Sequence, residues 1–141
     1  MKIGVILANL YPGKIGGAEQ YVRNVLHEMS QIEGLEIYAF VNSVAYPSFF
    51  NEGCAQIKKI KDEEDRDTQL FFWIDYLNID ILFCPLFFIA PNNSPIPAVA
   101  SILDVQHEFF PQYFEPKVLK EIRKSTASTL TQADGILTIS E

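Results

Sequence analysis

The stretch 2–29, KIGVILANLYPGKIGGAEQYVRNVLHEM, decides the fold class. It opens on a continuous apolar run, 2–8, as expected of a strand buried on both faces of a parallel sheet. The loop NLYPGKIGG follows, and then Ala18, Tyr21, Val22, Val25, Leu26 and Met29 recur at the i, i+3, i+4, i+7 spacing of an amphipathic helix. Strand, loop and helix of this kind form the repeating unit of an α/β sheet. Gly16 and Gly17 stand directly before the helix, although glycine disfavours a helix by about 1 kcal/mol relative to alanine. A sharp turn or a close approach to the backbone would account for them.

The alternation continues outward from that unit. Gly34 ends the helical region, and 35–42 reads as the second strand. Residues 56–60 form a short edge strand, and 64–78 form a helix whose acidic first turn suits the helix dipole. A buried strand at 80–84 is stopped by Pro85, and 98–103 is the next strand after the loop PNNSPIP. The aromatic loop DVQHEFFPQYF leads into a helix over 115–132, with Val118, Leu119, Ile122 and Leu130 among its apolar positions, and 135–140 is the last strand. The pattern predicts one α/β domain over 1–141, a doubly wound and mostly parallel Rossmann-like sheet. The first strand is expected at its centre, with the glycine loop at the carboxyl edge. A doubly wound unit ordinarily continues from such a strand into a covering helix, so the chain reads as the front piece of something longer.

Composition narrows the function classes. With 141 residues, 48% hydrophobic and 21% charged, the chain is ordered and large enough for its own core. A net charge of −7 argues against nucleic acid as a partner. The charge is uneven: 62–67 reads DEEDRD, whereas 117–124, KVLKEIRK, holds four of the 11 basic residues. Cys54 and Cys84 form no CxxC pair and suggest no metal cluster, which fits two reduced, buried thiols. The apolar run after Met1 is too short for a signal peptide, and ILFCPLFFIAP is too short to span a bilayer. A cytoplasmic protein is expected.

In a doubly wound sheet, ligands bind outside the carboxyl ends of the strands. Gly16 and Gly17 are thus placed where backbone amides at a helix N-terminus can meet an anion, or where the chain simply turns. A Walker loop is absent. The glycine spacing is not that of a dinucleotide fingerprint, and the second strand ends FVNS with no carboxylate, which disfavours NAD or FAD.

GGAEQYVRNVLHEM resembles the Gly-Gly-x-Glu-x-(aromatic) start of the first helix in retaining GT-B glycosyltransferases. SILDVQHEFFPQYF (101–114) is similar to the D-x-Q-H…P-x-x-F stretch of many such enzymes, and ADGILTISE (133–141) to the strand closing the same half. The three segments keep the family's order and spacing through nearly the whole chain. That family has two Rossmann-like halves with the reaction between them; the N-terminal half mainly holds the acceptor and the C-terminal half the nucleotide-sugar donor. The resemblance implies a metal-independent transferase, a nucleotide sugar as co-substrate, a sugar or lipid-linked acceptor, and a C-terminal partner domain without which this chain is inactive.

By the same resemblance Gly16, Gly17 and Glu19 would lie near the donor diphosphate, although Glu19 also suits the dipole of its helix. Tyr21 lies on the apolar helix face and reads as core. Many relatives carry His-Asp at the end of the strand before the aromatic loop. Here that pair is Leu103-Asp104, and His107 follows three residues later. The relatives' His, which lies beside the transferred sugar, is thus missing. Asp104 and His107 are the candidate catalytic pair, His107 hydrogen-bonding a sugar hydroxyl or the reacting centre or merely ordering its loop through Asp104 or Glu108. Phe109, Phe110, Tyr113 and Phe114 are read mainly as packing, with Phe109 and Tyr113 reserved for the acceptor. Lys117, Lys120, Arg123 and Lys124 form either a solvated face or a contact with an acidic acceptor or with anionic lipid head groups at the cytoplasmic side of a membrane. Two rivals stay open. One is an inverting GT-B transferase, and the other a non-catalytic doubly wound binding module, although a receiver would want paired acids where Asn9 stands.

Overall fold

The computed structural model describes residues 1–49, 53–61 and 65–139. Its strands are β1 (Lys2–Leu7), β2 (Glu36–Val41), β3 (Gln56–Lys59), β4 (Ile81–Cys84), β5 (Ala98–Ile102) and β6 (Gly135–Thr138). The helices are α1 (Gly17–Ser30), α2 (Tyr46–Phe49), α3 (Arg66–Leu77), α4 (Gln106–Phe109) and α5 (Pro116–Gln132), with a 3-10 turn at Pro111–Tyr113. One six-stranded sheet runs β3-β2-β1-β4-β5-β6, and every neighbouring pair is parallel. This Rossmann-like α/β arrangement places β1 inside the sheet, as its unbroken apolar run requires.

Alternation along β1 builds a core on each face. Ile3, Val5 and Leu7 pack with Val22 and Leu26 of α1, while Ile6 joins Phe40, Leu82 and the α3 residues Leu70 and Ile74. Gly4 is set by that second core, because a Cβ there would stand 2.9 Å from Leu82 Cδ2 and 3.0 Å from Phe40 Cε2. Helix α3 ends on Asn78 in the left-handed region (φ 52°), and the Ile79 N–H returns to the Ile74 carbonyl at 3.0 Å. Asparagine tolerates that conformation, and the reversal drops Ile79 into the core.

The strand expectations hold to within a residue or two at the described ends. The expected start of α3 at Glu64, the acids at 62–64 and the expected end of β6 at Ser140 lie outside the described residues. Two short helices were not legible: α2, and α4 inside what reads as an irregular aromatic loop. Cys84 is buried, which pushes its thiol pKa up to about 11, while Cys54 is half-buried. Among the described residues no helix is long and apolar enough to cross a membrane.

Candidate functional site

Chain order fixes where a site can form. From β1 the sheet grows outward through β2 and β3, and from β4 it grows the other way through β5 and β6. The direction reverses between β1 and β4, and the loops leaving those two strands diverge, opening a crevice at their carboxyl ends. A cleft of about 560 Å³ occupies that position, lined by Asn9 after β1, Gly17 and Tyr21 of α1, Phe87 after β4 and Asp104 after β5.

The two glycines do different things. Gly16 adopts φ 51°, ψ −122°, a conformation that L side chains avoid, and so makes the turn into α1. Gly17 is helical, and a Cβ built on it meets no protein atom within 4 Å. Neither backbone conformation nor packing explains a glycine at 17, which lines the cleft. The Ala18 N–H bonds the Ile15 carbonyl and the Glu19 N–H the Gly16 carbonyl, both at 3.1 Å. Among the described residues the Gly16 and Gly17 N–H groups donate to no other backbone group. That leaves them with the orphan-donor character of a helix start.

Glu19 faces the loop and not the cleft. Its Oε2 accepts the Gly13 N–H at 2.7 Å, and its Oε1 accepts from Arg23 Nε and Nη2 at 3.0 and 2.7 Å. The Gly13 amide, with Arg23 behind it, holds the carboxyl below the ordinary glutamate range. Arg23 is seated over the Phe49 ring at 4.4 Å, so the clamp rests on the core. On the other flank Asn42, buried at the end of β2, donates from Nδ2 to the Ala8 and Leu10 carbonyls at 2.8 Å and accepts the Ala45 N–H at 2.7 Å. The loop between β1 and α1 is thereby pinned at both ends. Nothing in the local pattern FVNS marks Asn42, because its partners Ala8 and Leu10 lie 34 and 32 residues away in the chain.

Asp104 is exposed at the cleft, and its Oδ1 accepts the Gln106 N–H at 3.2 Å, starting α4. His107 is placed elsewhere. It is buried on α4 and lines an adjoining hollow of about 360 Å³ with Phe114, Ile122 and Thr126, while Phe87 and Asp104 line both spaces. Its Nε2 lies 3.5 Å from Glu108 Oε1, and its ring meets Phe114 edge to face at 6.5 Å. Asp104 and Gly17 therefore share the cleft, and His107 is set apart from it behind Phe87 and Asp104. Glu108 is also held by Arg123, at 2.8 and 3.0 Å, and this pairing lowers its pKa.

In the aromatic loop only Phe110 departs from the packing expectation, and Phe109 and Tyr113, reserved for the acceptor, do not line the cleft. Phe114 packs on His107, but Phe109, Phe110 and Tyr113 are exposed, because α4 and the 3-10 turn lift them off the sheet. Tyr21 is half-buried and packs on the core as expected, yet it also lines the cleft, and its hydroxyl hydrogen-bonds the buried Ser101.

A second, polar hollow of about 470 Å³ meets the cleft at Asn9 and includes Tyr11, Lys61, Asp65, Arg66 and Asp67. The Arg66 guanidinium lies over the Phe88 ring at 5.6 Å and its Nη1 donates to Asn9 Oδ1 at 3.4 Å. Its Nε stands 3.7 Å from Asp67 Oδ1, within ion-pair range but beyond a hydrogen bond, and both atoms are buried without a hydrogen-bond partner among the described residues. In the sequence these residues read only as an acidic run. No protein-family model matches this sequence, and no curated protein matches it.

Proposed function

We propose that the chain is the acceptor-side half of a retaining GT-B glycosyltransferase, moving a sugar from a nucleotide-sugar donor to a glycan, lipid or small-molecule acceptor. One observation carries the reading: the cleft at the reversal of strand order has an unexplained glycine, Gly17, at the start of α1 and a carboxylate, Asp104, opposite it. Orphan amides at a helix N-terminus stabilise negative charge, and a departing nucleoside diphosphate is where charge develops in sugar transfer. The bond from the anomeric carbon to the diphosphate oxygen breaks as the acceptor oxygen bonds that carbon, and the acceptor proton leaves to the departing phosphate. Asp104 orients the acceptor hydroxyl, and the polar hollow beyond Asn9 gives the acceptor's remaining hydroxyls hydrogen-bonding partners. A second Rossmann-like half supplies most donor contacts and excludes water.

The test is amide chemical-shift mapping of the isotopically labelled chain with UDP-, GDP- and dTDP-sugars. Expected are millimolar affinity at best, shifts concentrated between Gly13 and Tyr21 and near Asp104, and no transfer activity. Micromolar affinity would place the donor site in this chain and overturn the acceptor-side reading. Shifts confined to other segments would remove the cleft from the proposal.

A further inference from the structure

Aromatic side chains on a loop ordinarily pin it to the core, and three here do not. Phe109 is 75% exposed, Tyr113 78% and Phe110 47%, and Val118 on the following helix is 46% exposed. Phe110 and Tyr113 stack on each other, ring centroids 6.2 Å apart, and so project together. Helix α5 follows directly. Its inward positions are Leu119, Ile122, Thr126 and Thr129, which puts Lys117, Lys120 and Lys124 together on the opposite face, all exposed. None of these lysines has an ion pair among the described residues, and Glu121 is the acid sharing their face. Arg123 is committed to Glu108, and that bidentate pair fixes α4, which carries Phe109, against α5, which carries the lysines.

We infer that α4, the 3-10 turn and the first turns of α5 dock onto an anionic lipid surface. Phe109, Phe110 and Tyr113 enter the boundary between head groups and acyl chains, and Lys117, Lys120 and Lys124 meet lipid phosphates. Rings that are apolar in body, set beside long lysines, are the side-chain pairing that interfacial segments use. Charge complementarity selects lipid and sets the orientation. The chain carries −7 overall, whereas the outer face of α5 presents Lys117, Lys120 and Lys124 against Glu121, Arg123 being neutralised by Glu108, so an anionic membrane repels the rest and attracts this face. Asp104 stands two residues before α4 and lines the cleft, so docking holds the mouth of the cleft near the lipid surface. The inference is independent of sugar transfer.

The test is co-sedimentation of the 141-residue chain with phosphatidylcholine vesicles, with and without phosphatidylglycerol as the anionic component. Retention is expected on the anionic vesicles alone and weakened by added salt, which shortens the Debye length. Lys117→Glu/Lys120→Glu/Lys124→Glu and Phe109→Ser/Phe110→Ser/Tyr113→Ser are each expected to reduce partitioning by at least ~tenfold. Both triple variants alter exposed side chains, and circular dichroism checks their folding. If either misfolds, the wild-type lipid and salt comparison decides. Equal retention on neutral vesicles, no retention on anionic ones, or full retention in both folded variants overturns the inference. So does a wild-type dimer in sedimentation velocity that Tyr113→Ser dissociates, which would give this face to a second copy.

Discussion

The Tyr21 hydroxyl on α1 and the Ser101 Oγ on β5 lie 3.0 Å apart although 80 residues separate them in the chain. They join the helix that begins at the glycines to β5, whose following loop carries Asp104, and so tie together the two walls of the cleft. Ser101 is fully buried, and removing its partner strands a hydroxyl. Tyr21→Phe is therefore expected to cost about 1–2 kcal/mol in urea unfolding. Ser101→Ala added to Tyr21→Phe should cost less than the two single changes summed, because the pair then disappears together. Strict additivity would mean that the two hydroxyls do not interact.

Glu19 gives a pH signature. Its carboxyl is held below the ordinary glutamate range, first by the Gly13 amide and then by Arg23. A depressed folded-state pKa contributes stability that is present above the unfolded value, near 4.3, and lost as pH falls through the folded one. Glu19→Gln should thus destabilise the protein at neutral pH, by about 1 kcal/mol since the site still meets solvent, and flatten the fall in stability below about pH 4.5. Urea midpoints for both proteins across the acid range check this. Parallel curves would show that Glu19 is not the group that titrates.

The two adjacent glycines separate conformation from function. At Gly16 the backbone excludes a side chain, so Gly16→Ala is expected to destabilise by about 1–2 kcal/mol. At Gly17 the backbone is helical and the space is open, so Gly17→Ala should leave stability unchanged or raise it by a few tenths of a kcal/mol. Under the proposed function Gly17→Val loses the chemical shifts that nucleotide sugars induce in α1, while the unfolding midpoint holds. A Gly17→Val protein that responds like wild type would make this glycine incidental.

Backbone periodicity was legible because burial enforces it. A strand covered on both faces must be apolar throughout, as 2–8 is, and α1 must show its 3.6-residue stripe. The positions of Gly16, Gly17 and Asp104 at strand ends followed from the same alternation. What stayed hidden depended on contacts between distant segments. Whether Phe109 packs or projects is set by the direction in which α4 leaves the sheet. Whether Arg66 is one more charge in an acidic run or a guanidinium seated over Phe88 is set by the approach of the loop after β4. Neither is encoded in local spacing.

His107 shows how placement revises an expectation. Read from sequence, a histidine at the end of a strand beside Asp104 should affect turnover more than folding. In the structure it is buried against Phe114 and lines the hollow under α5, so truncation removes packing as well as chemistry. His107→Ala is expected to destabilise by about 1–3 kcal/mol, the cost of a partly collapsed cavity and of a lost partner for Glu108. Asp104→Asn, by contrast, keeps an acceptor for the Gln106 amide and sits exposed, so its unfolding midpoint should stay near wild type. The two variants therefore diverge in urea. If sugar transfer runs through the cleft, Asp104→Asn is the one that lowers turnover in a stable protein, measured in the enzyme joined to its donor half. A fully stable His107→Ala would show that the buried ring contributes nothing to packing.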